Sequence, residues 1–449
     1  MKQLNLQSFT YKHVLVLGLA KSGTAAAQLL LDSGVQVTIN DLKADMTADK
    51  VIHLKNQGAK IITGEHPLSI LNGVDLIVKN PGIPYENPIV NEAMKREVPI
   101  VTEVELAGHL HQGNLIGVTG SNGKTTTTTL IHAFIEADQM EVSIAGNIGE
   151  VACEVARTTT EEETMVVELS SFQLLGVKTF TPHIAVWLNL FEAHLDYHHT
   201  IENYHGAKAK IAKNQTNDDY LVYNADDKAI LSYLPSLESH LIPFSIKGKV
   251  AGSWADDQYI YYKHERVMKR DEVVLVGEHN LANILAAIAA VKLNGVSNKA
   301  IQEVLSSFGG VPHRLEFVTK KNNVYFYNDS KATNILATSY ALKAFDQPVV
   351  LLAGGLDRGN NFDDLVEHLT NVKALVVFGE TANKVAMAGR EAGIATILFV
   401  ENMNDAVLEA YNVSAEEDVI LLSPACASWD QYRTFEERGH MYKDAVHKL

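Results

Sequence analysis

Gly117-Val-Thr-Gly-Ser-Asn-Gly-Lys-Thr125 leaves the apolar run Leu115–Thr119 and enters a stretch that reads as a helix. Strand, glycine-rich turn and helix in this order make a phosphate-binding loop. Backbone N–H groups cradle phosphate oxygens, the Lys124 ammonium neutralises them, and the Thr125 hydroxyl reaches a magnesium ion. The strict spacing places a glycine at 118, whereas this chain carries Val118 with glycines at 117 and 120, so the loop is a variant. A glycine-rich turn with an incidental lysine is the ordinary alternative, and Gly-Lys-Thr in a strand–helix setting argues against it. Such a loop needs a carboxylate for the metal at the end of a neighbouring strand. Met165-Val-Val167 ends on Glu168, and the carboxyl end of a buried strand faces the crevice where open α/β sheets bind ligands.

Working outward, the same unit recurs on both sides of this loop: a β-branched or leucine-rich run, a loop, then a helical stretch. Before it come His13–Leu17 with Gly18-Leu-Ala-Lys-Ser-Gly23 and a helix to about Ser33, then Val35–Ile39 ending at Asp41, and Asp75–Val78 ending in Lys-Asn-Pro-Gly82. After it come Met165–Val167, Ile184–Leu188 and Tyr220–Tyr223. Alternating, aromatic residues from Phe244 to Val276 read as small antiparallel strands, and Asn280–Leu293 reads as an alanine-rich helix. A third restart follows Pro312, with strands expected at Val324–Tyr327, Pro348–Leu352, Ala374–Phe378, Thr396–Val400 and Val419–Leu422. Short apolar strands alternating with helices predict α/β domains with mostly parallel, doubly wound sheets. A chain of 449 residues is too long for one core. The restarts divide it into a Rossmann-like domain over 1–104, a central P-loop domain over 105–311 and a second Rossmann-like domain over 312–449.

Composition narrows the partners. Hydrophobic residues make up 46% and charged residues 20%, as in an ordinary soluble domain. The formal charge of −16 is a poor match to nucleic acid, which needs broad basic surfaces. Phosphate-bearing small molecules need only local cations and helix N-termini. The apolar run Val14–Ala20 is too short to cross a bilayer and has the flanks of neither a span nor a signal peptide. Cys153 and Cys426 make no disulfide framework or metal-ligand spacing, which fits a reducing cytoplasm.

Two further residues carry chemistry. Trp187-Leu-Asn-Leu-Phe-Glu-Ala-His194 begins as a strand and ends polar, and a histidine there is either a ligand or a hydrogen-bonded loop residue. Ile201, Tyr204, Lys208 and Ile211 share one helical face, which places Lys208 on an apolar stripe. Such a lysine usually snorkels outward. If it is buried instead, its amine is held neutral more often and can take up carbon dioxide as an anionic carbamate.

These segments, with His279-Asn280, Asn283, Pro312-His-Arg314 and Asp329-Ser-Lys-Ala-Thr-Asn334, resemble the Mur ligases over the whole chain and in family order. The resemblance implies that the first domain binds a UDP moiety, the second ATP, and the third the incoming amino acid. It assigns the triphosphate to Val118, Thr119, Gly120, Ser121, Asn122, Gly123, Lys124 and Thr125, and the adenine nucleotide also to Asn283, Arg314 and Asp329. Two magnesium ions would be held by Thr125, Glu168, His194 and carbamylated Lys208, and Lys124, Glu168, His194 and Lys208 would form the catalytic centre. Lys21, Ser22, Asp41, Leu42, Lys43, Asn80, Gly82, Asn147, Ser170 and Gln173 match nucleotide-sugar positions. Lys331, Thr333, Arg358, Ser428 and Phe435 resemble the branch that adds D-glutamate to UDP-N-acetylmuramoyl-L-alanine, whose amino acid needs cations and hydroxyls around two carboxylates. Some members of that branch have lysine where this chain has Arg358, and the Asp-Asn-Pro motif that grips diaminopimelate in another branch is absent. The expected enzyme is a cytoplasmic monomer that neither enters membranes nor binds nucleic acid.

Other readings remain at this point. Gly18-Leu-Ala-Lys-Ser-Gly23 with Asp41 suggests a dinucleotide-binding dehydrogenase, but Ala20 replaces the middle glycine and the P-loop is left unexplained. A Mur ligase of another branch, a folylpolyglutamate synthase and a non-catalytic nucleotide-binding regulator complete the set. The N-terminal nucleotide domain disfavours the folate enzyme, and Lys124, Thr125, Glu168, His194 and Lys208 together disfavour the regulator.

Overall fold

A computed structural model describes residue 6 and residues 8–449. Its first sheet contains β1 (His13–Leu17), β2 (Gln36–Asp41), β3 (Lys60–Thr63), β4 (Leu76–Lys79) and β5 (Ile100–Val101), all parallel, in the order β3-β2-β1-β4-β5. Val14 to Leu17 are fully buried on both faces, as a strand covered by helices on either side must be. The strand order reverses between β1 and β4, which opens a crevice at their carboxyl ends, where Gly18 and Asn80 leave the sheet.

The second sheet contains β6 (Leu115–Thr119), β7 (Val142–Gly146), β8 (Thr164–Glu168), β9 (Ile184–Trp187), β10 (Tyr220–Asn224), β11 (His240–Ser245), β12 (Ser253–Ala255), β13 (Tyr259–Tyr262) and β14 (Glu265–Lys269). Their order is β14-β13-β12-β11-β10-β9-β6-β8-β7. Only the pairs β12–β13 and β13–β14 are antiparallel. The small antiparallel strands expected between Phe244 and Val276 are β12, β13 and β14, and β12 also pairs parallel with β11. The third sheet contains β15 (Glu316–Lys321), β16 (Val324–Asn328), β17 (Val349–Gly354), β18 (Val372–Phe378), β19 (Thr396–Phe399) and β20 (Val419–Leu422), ordered β15-β16-β20-β17-β18-β19 with only β15 antiparallel.

The chain forms two compact units, one running to Arg270 and including Ala282–Val304, the other made of Asp271–Leu281 and Leu305–Leu449. In the first unit one apolar cluster runs from Val14, Val16 and Leu29 of the first sheet layer to Met165, Val167 and Trp187 of the second. Each such side chain contributes about 1.5–3 kcal/mol by leaving water. Buried Glu105 adds a polar clasp, accepting the N–H groups of Lys178, Thr179 and Phe180 at 2.8, 2.7 and 3.1 Å.

The helix Lys124–Ala137 begins with a threonine run that favours helix weakly, so its stability comes from burying Leu130, Ile131, Phe134 and Ile135. Among the described residues no helix is long and apolar enough to cross a membrane.

Candidate active site

Parallel pairing brings the functional segments of the second sheet to one edge. Val118 of β6 lies opposite Glu168 of β8, Gly146 of β7 lies on the other side of Glu168, and Thr119 lies opposite Trp187 of β9. The phosphate loop, the Glu168 carboxylate, Asn147 and the segment leading to His194 therefore all leave the sheet together, at the end where such sheets bind ligands.

The loop is pinned from outside. Asn189 accepts the Asn122 N–H at 2.9 Å and donates its amide to the Asn122 carbonyl at 3.1 Å. The Ser121 hydroxyl meets the Phe191 backbone and receives the Tyr204 hydroxyl at 3.0 Å. Gly123 starts the helix in the left-handed region, with φ +83°, and a Cβ there would come within 2.1 Å of the Asn283 side-chain oxygen. Asn283, expected at the nucleotide, thus lies against the loop. Val118 is fully buried and can offer a ligand only its main chain. Gly123→Ala is expected to cost about 1–2 kcal/mol in backbone strain and to push Asn283 aside. It should weaken ATP binding at least about tenfold and lower the melting temperature by several degrees. Titration calorimetry and thermal unfolding check this, and a variant unchanged in both refutes the close fit.

Two ammonium groups converge on one carbonyl. Lys124 Nζ donates to the Gly120 oxygen at 2.9 Å and to the Ser121 oxygen at 3.1 Å, and Lys208 Nζ donates to the same Gly120 oxygen at 2.8 Å. Lys208 is 1% exposed, so it does not snorkel. Burial first, then the Lys124 charge, hold its pKa well below the usual lysine range, while Glu168 opposes the shift. The helical stripe places Tyr204, Lys208 and Ile211 in the interior but leaves Ile201 exposed, so the apolar face is shorter than its spacing implies.

Glu168 is 1% exposed; Asn147 donates to its Oε1 at 2.8 Å, and its Oε2 is buried without a hydrogen-bond partner. A buried carboxylate oxygen in that condition fits a cation. His194 sits in the left-handed region at φ +55°, its exposed ring 5.0 Å from that of Phe172 and 6.0 Å from that of Tyr204. What burial it has, then the Lys208 charge, lower its pKa and favour the neutral imidazole that metals bind. Thr125 stands at the second position of the loop's helix.

Around the first sheet's crevice, Asn80 donates to the Ser22 hydroxyl at 3.0 Å and accepts the Gly82 N–H at 3.1 Å. Asp41 accepts the N–H groups of Leu19 at 2.7 Å and Lys43 at 2.8 Å, and Lys21, Leu42 and Lys43 are exposed. Ser170 and Gln173, expected at the sugar, form a capping box on the short helix Ser171–Leu175, with Gln173 only 5% exposed. A cleft of about 340 Å3 lies nearby, lined in part by Tyr85, Tyr197, His198, Glu202, Asn203 and Lys210.

In the second unit, Asp329 is buried, accepting the Ser423 hydroxyl at 2.8 Å and the Leu315 N–H at 3.1 Å, and burial raises its pKa to about 7. Arg314 is exposed. The Lys331 ammonium lies 5.2 Å from the Phe435 ring and the Arg358 guanidinium 5.0 Å from the Trp429 ring. Thr333 and Arg358 share the wall of a hollow of about 10 Å3, room for a single water. Ser428 is 2% exposed, and its hydroxyl has no hydrogen-bond partner.

Sequence reasoning passed over Asn189 and Tyr197. Asn189 lies two residues past the end of the apolar strand β9 at Trp187, a polar signal that could have flagged it. Nothing local marks Tyr197.

Residues 12–102 match a family model described as Mur ligase MurD-like, N-terminal domain. Residues 118–291 match the Mur ligase middle domain, and residues 313–426 match the Mur ligase, glutamate ligase domain. The chain is 55% identical over 445 residues to the UDP-N-acetylmuramoylalanine–D-glutamate ligase of Oceanobacillus iheyensis, covering 99% of each. It is 52% identical over 448 residues to the protein of the same name from Bacillus subtilis, again covering 99% of each. Among solved structures it shares the fold of the UDP-N-acetylmuramate-alanine ligase of Thermotoga maritima, with TM-score 0.56, 18% identity and coverage of 98% of this chain and 100% of that one.

Proposed function

The chain belongs to the Mur ligase family, and from that premise we propose how its residues carry out the reaction. It is an ATP-dependent ligase that adds D-glutamate to UDP-N-acetylmuramoyl-L-alanine in peptidoglycan precursor synthesis. A carboxylate resists attack by an amine. In our reading the alanyl carboxylate first takes the γ-phosphoryl group of ATP, releasing ADP and leaving an acyl phosphate. The D-glutamate amine then attacks the acyl carbon, phosphate departs with the C–O bonding pair, and the nitrogen gives up a proton.

One observation carries this reading: the Lys124 ammonium, 2.9 Å from the Gly120 oxygen, and Glu168, whose buried Oε2 has no hydrogen-bond partner, leave neighbouring strands at one sheet edge. A cation beside helix-start amides favours a phosphate, and a buried carboxylate oxygen without a partner favours the metal ion that a triphosphate carries. Lys124 and the amides at the start of the helix would hold the β- and γ-phosphates. Thr125, Glu168, His194 and Lys208 would hold magnesium, which when bound withdraws charge from the transferring phosphoryl group. Lys208 would do so as a carbamate, formed when its neutral amine adds to carbon dioxide and loses a proton, a state its burial favours.

Lys21, Ser22, Asp41, Leu42, Lys43, Asn80, Gly82, Asn147, Ser170 and Gln173 would receive the nucleotide sugar, and Lys331, Thr333, Arg358, Ser428 and Phe435 the D-glutamate. We place the domain boundaries near residues 104 and 311 and the reaction in the cytoplasm.

Phosphate release from ATP in the presence of UDP-N-acetylmuramoyl-L-alanine tests the reading. D-Glutamate should support turnover, while L-glutamate and meso-diaminopimelate stay at background. Turnover with diaminopimelate alone moves the chain to another branch of the family.

A further inference from the structure

Lys79, the last residue of β4, is 1% exposed. Its three N–H bonds are shared among four acceptors: the main-chain oxygens of Asn80 at 3.2 Å, Pro81 at 3.2 Å and Ile83 at 2.6 Å, and the Tyr197 hydroxyl at 3.1 Å. The Tyr197 hydroxyl proton in turn points to the oxygen of Pro81 or Ile83, at 3.1 or 2.9 Å. The rings of Tyr85 and Tyr197 lie 5.0 and 5.8 Å from the charge. Burial pulls the ammonium's pKa down to about 8.

All four of these acceptors are neutral. Burying an ammonium among neutral groups is costly, and a single hydrogen bond from an uncharged side chain would close a loop more cheaply. What the lysine does that such a side chain cannot is gather three carbonyls and a phenol at one point. The backbone it gathers is the turn Asn80–Ile83, whose Asn80 side chain reaches Ser22 and the Gly82 N–H. The phenol belongs to the turn that starts at His194, whose carbonyl accepts the N–H groups of Tyr197 at 3.1 Å and His198 at 2.9 Å. A His198 ring nitrogen lies 3.0 Å from the Ser171 hydroxyl, which anchors that turn to the segment after Glu168. One chain of contacts thus runs from the crevice of the first sheet to the edge of the second, inside one compact unit.

We propose that Lys79 and Tyr197 are a positioning pair that ties the nucleotide-sugar turn Asn80–Ile83 to the His194 turn. Through it the acceptor carboxylate is held in register with the phosphoryl donor. The proposal rests on the ligase reading above and adds to it two residues to which that reading gives no role. The tie acts on the relative placement of two bound substrates, so its loss lowers the rate of phosphoryl transfer more than the affinity for ATP.

Tyr197→Phe removes one oxygen and keeps the ring, and Lys79→Met removes the charge and keeps most of the stem. Steady-state phosphate release should show kcat falling about tenfold in Tyr197→Phe and about 10²-fold in Lys79→Met, with the KM for ATP within about twofold of wild type. The double variant should be no slower than Lys79→Met, because both changes cut the same link. Thermal unfolding identifies any variant that fails to fold, and Tyr197→Phe by itself suffices for the test.

Tyr197→Phe turning over at the wild-type rate overturns the tie, as does a double variant whose loss is the product of the single losses. A wild-type chain that releases no phosphate with these substrates sinks the ligase reading and the tie with it. A wild-type chain that turns over beside an unaffected Tyr197→Phe sinks the tie alone.

Discussion

Lys124→Ala is expected to slow phosphate release at least about 10³-fold, a barrier increase of roughly 4 kcal/mol. The ammonium is held over the loop by the Gly120 and Ser121 oxygens, at 2.9 and 3.1 Å. A charge fixed in advance does not have to be reorganised as the γ-phosphoryl group moves, which is why such groups contribute so much to the rate. The fold should survive the change. Lys124 is half-buried at the first turn of its helix, and the apolar side chains that secure that helix begin at Leu130. Circular dichroism and the melting temperature should therefore stay near wild type while turnover collapses. Turnover within tenfold of wild type would remove Lys124 from the mechanism and with it the observation on which the functional reading stands.

The second large effect concerns Lys208. Its replacement by alanine should lower turnover by about 10²–10⁴-fold, with partial recovery on adding formate or acetate. Two roles compete for this side chain. In one it is a buried cation that only steadies the loop through the Gly120 oxygen at 2.8 Å. In the other it carries a carbamate beside Glu168, whose Oε2 has no partner of its own. The first predicts that small anions leave the variant unchanged. The second predicts rescue, because a free carboxylate can occupy the space the carbamate vacates. Labelled bicarbonate and nuclear magnetic resonance give an independent readout on the wild-type chain: a carbamate carbon signal that Lys208→Ala lacks. Neither rescue nor signal would leave Lys208 as a structural cation.

Much of the architecture was legible along the chain. Val14–Leu17, Met165–Val167 and Val419–Leu422 are apolar on both faces, and only a strand covered on both sides tolerates that, so parallel α/β sheets follow from local pattern. Gly117–Thr125 was legible for the same reason: its chemistry is made by neighbours in sequence, a strand end, a turn that needs glycine at 123 and the first turn of a helix. The strands Lys60–Thr63, Ile100–Val101 and Glu316–Lys321 were not legible. Lys60–Thr63 and Ile100–Val101 are short and are stabilised by pairing with distant strands, while Glu316–Lys321 is a polar edge strand that pairs only with its neighbour Val324–Asn328.

The sequence by itself thus determined the repeated α/β units, the phosphate loop and the order in which candidate residues reach the sheet edges. Tertiary structure decided how deep each of those residues lies and what it faces. Helical spacing put Lys208 on an apolar stripe but left open whether the ammonium would reach water, and the fold buries it against the Gly120 oxygen and the Tyr204 ring. Ser170 and Gln173 were drawn into a helix cap, and Lys79 met a tyrosine 118 positions away. Local pattern is set by steric and solvation preferences within a few residues, whereas burial and charge environment depend on which distant segments pack together.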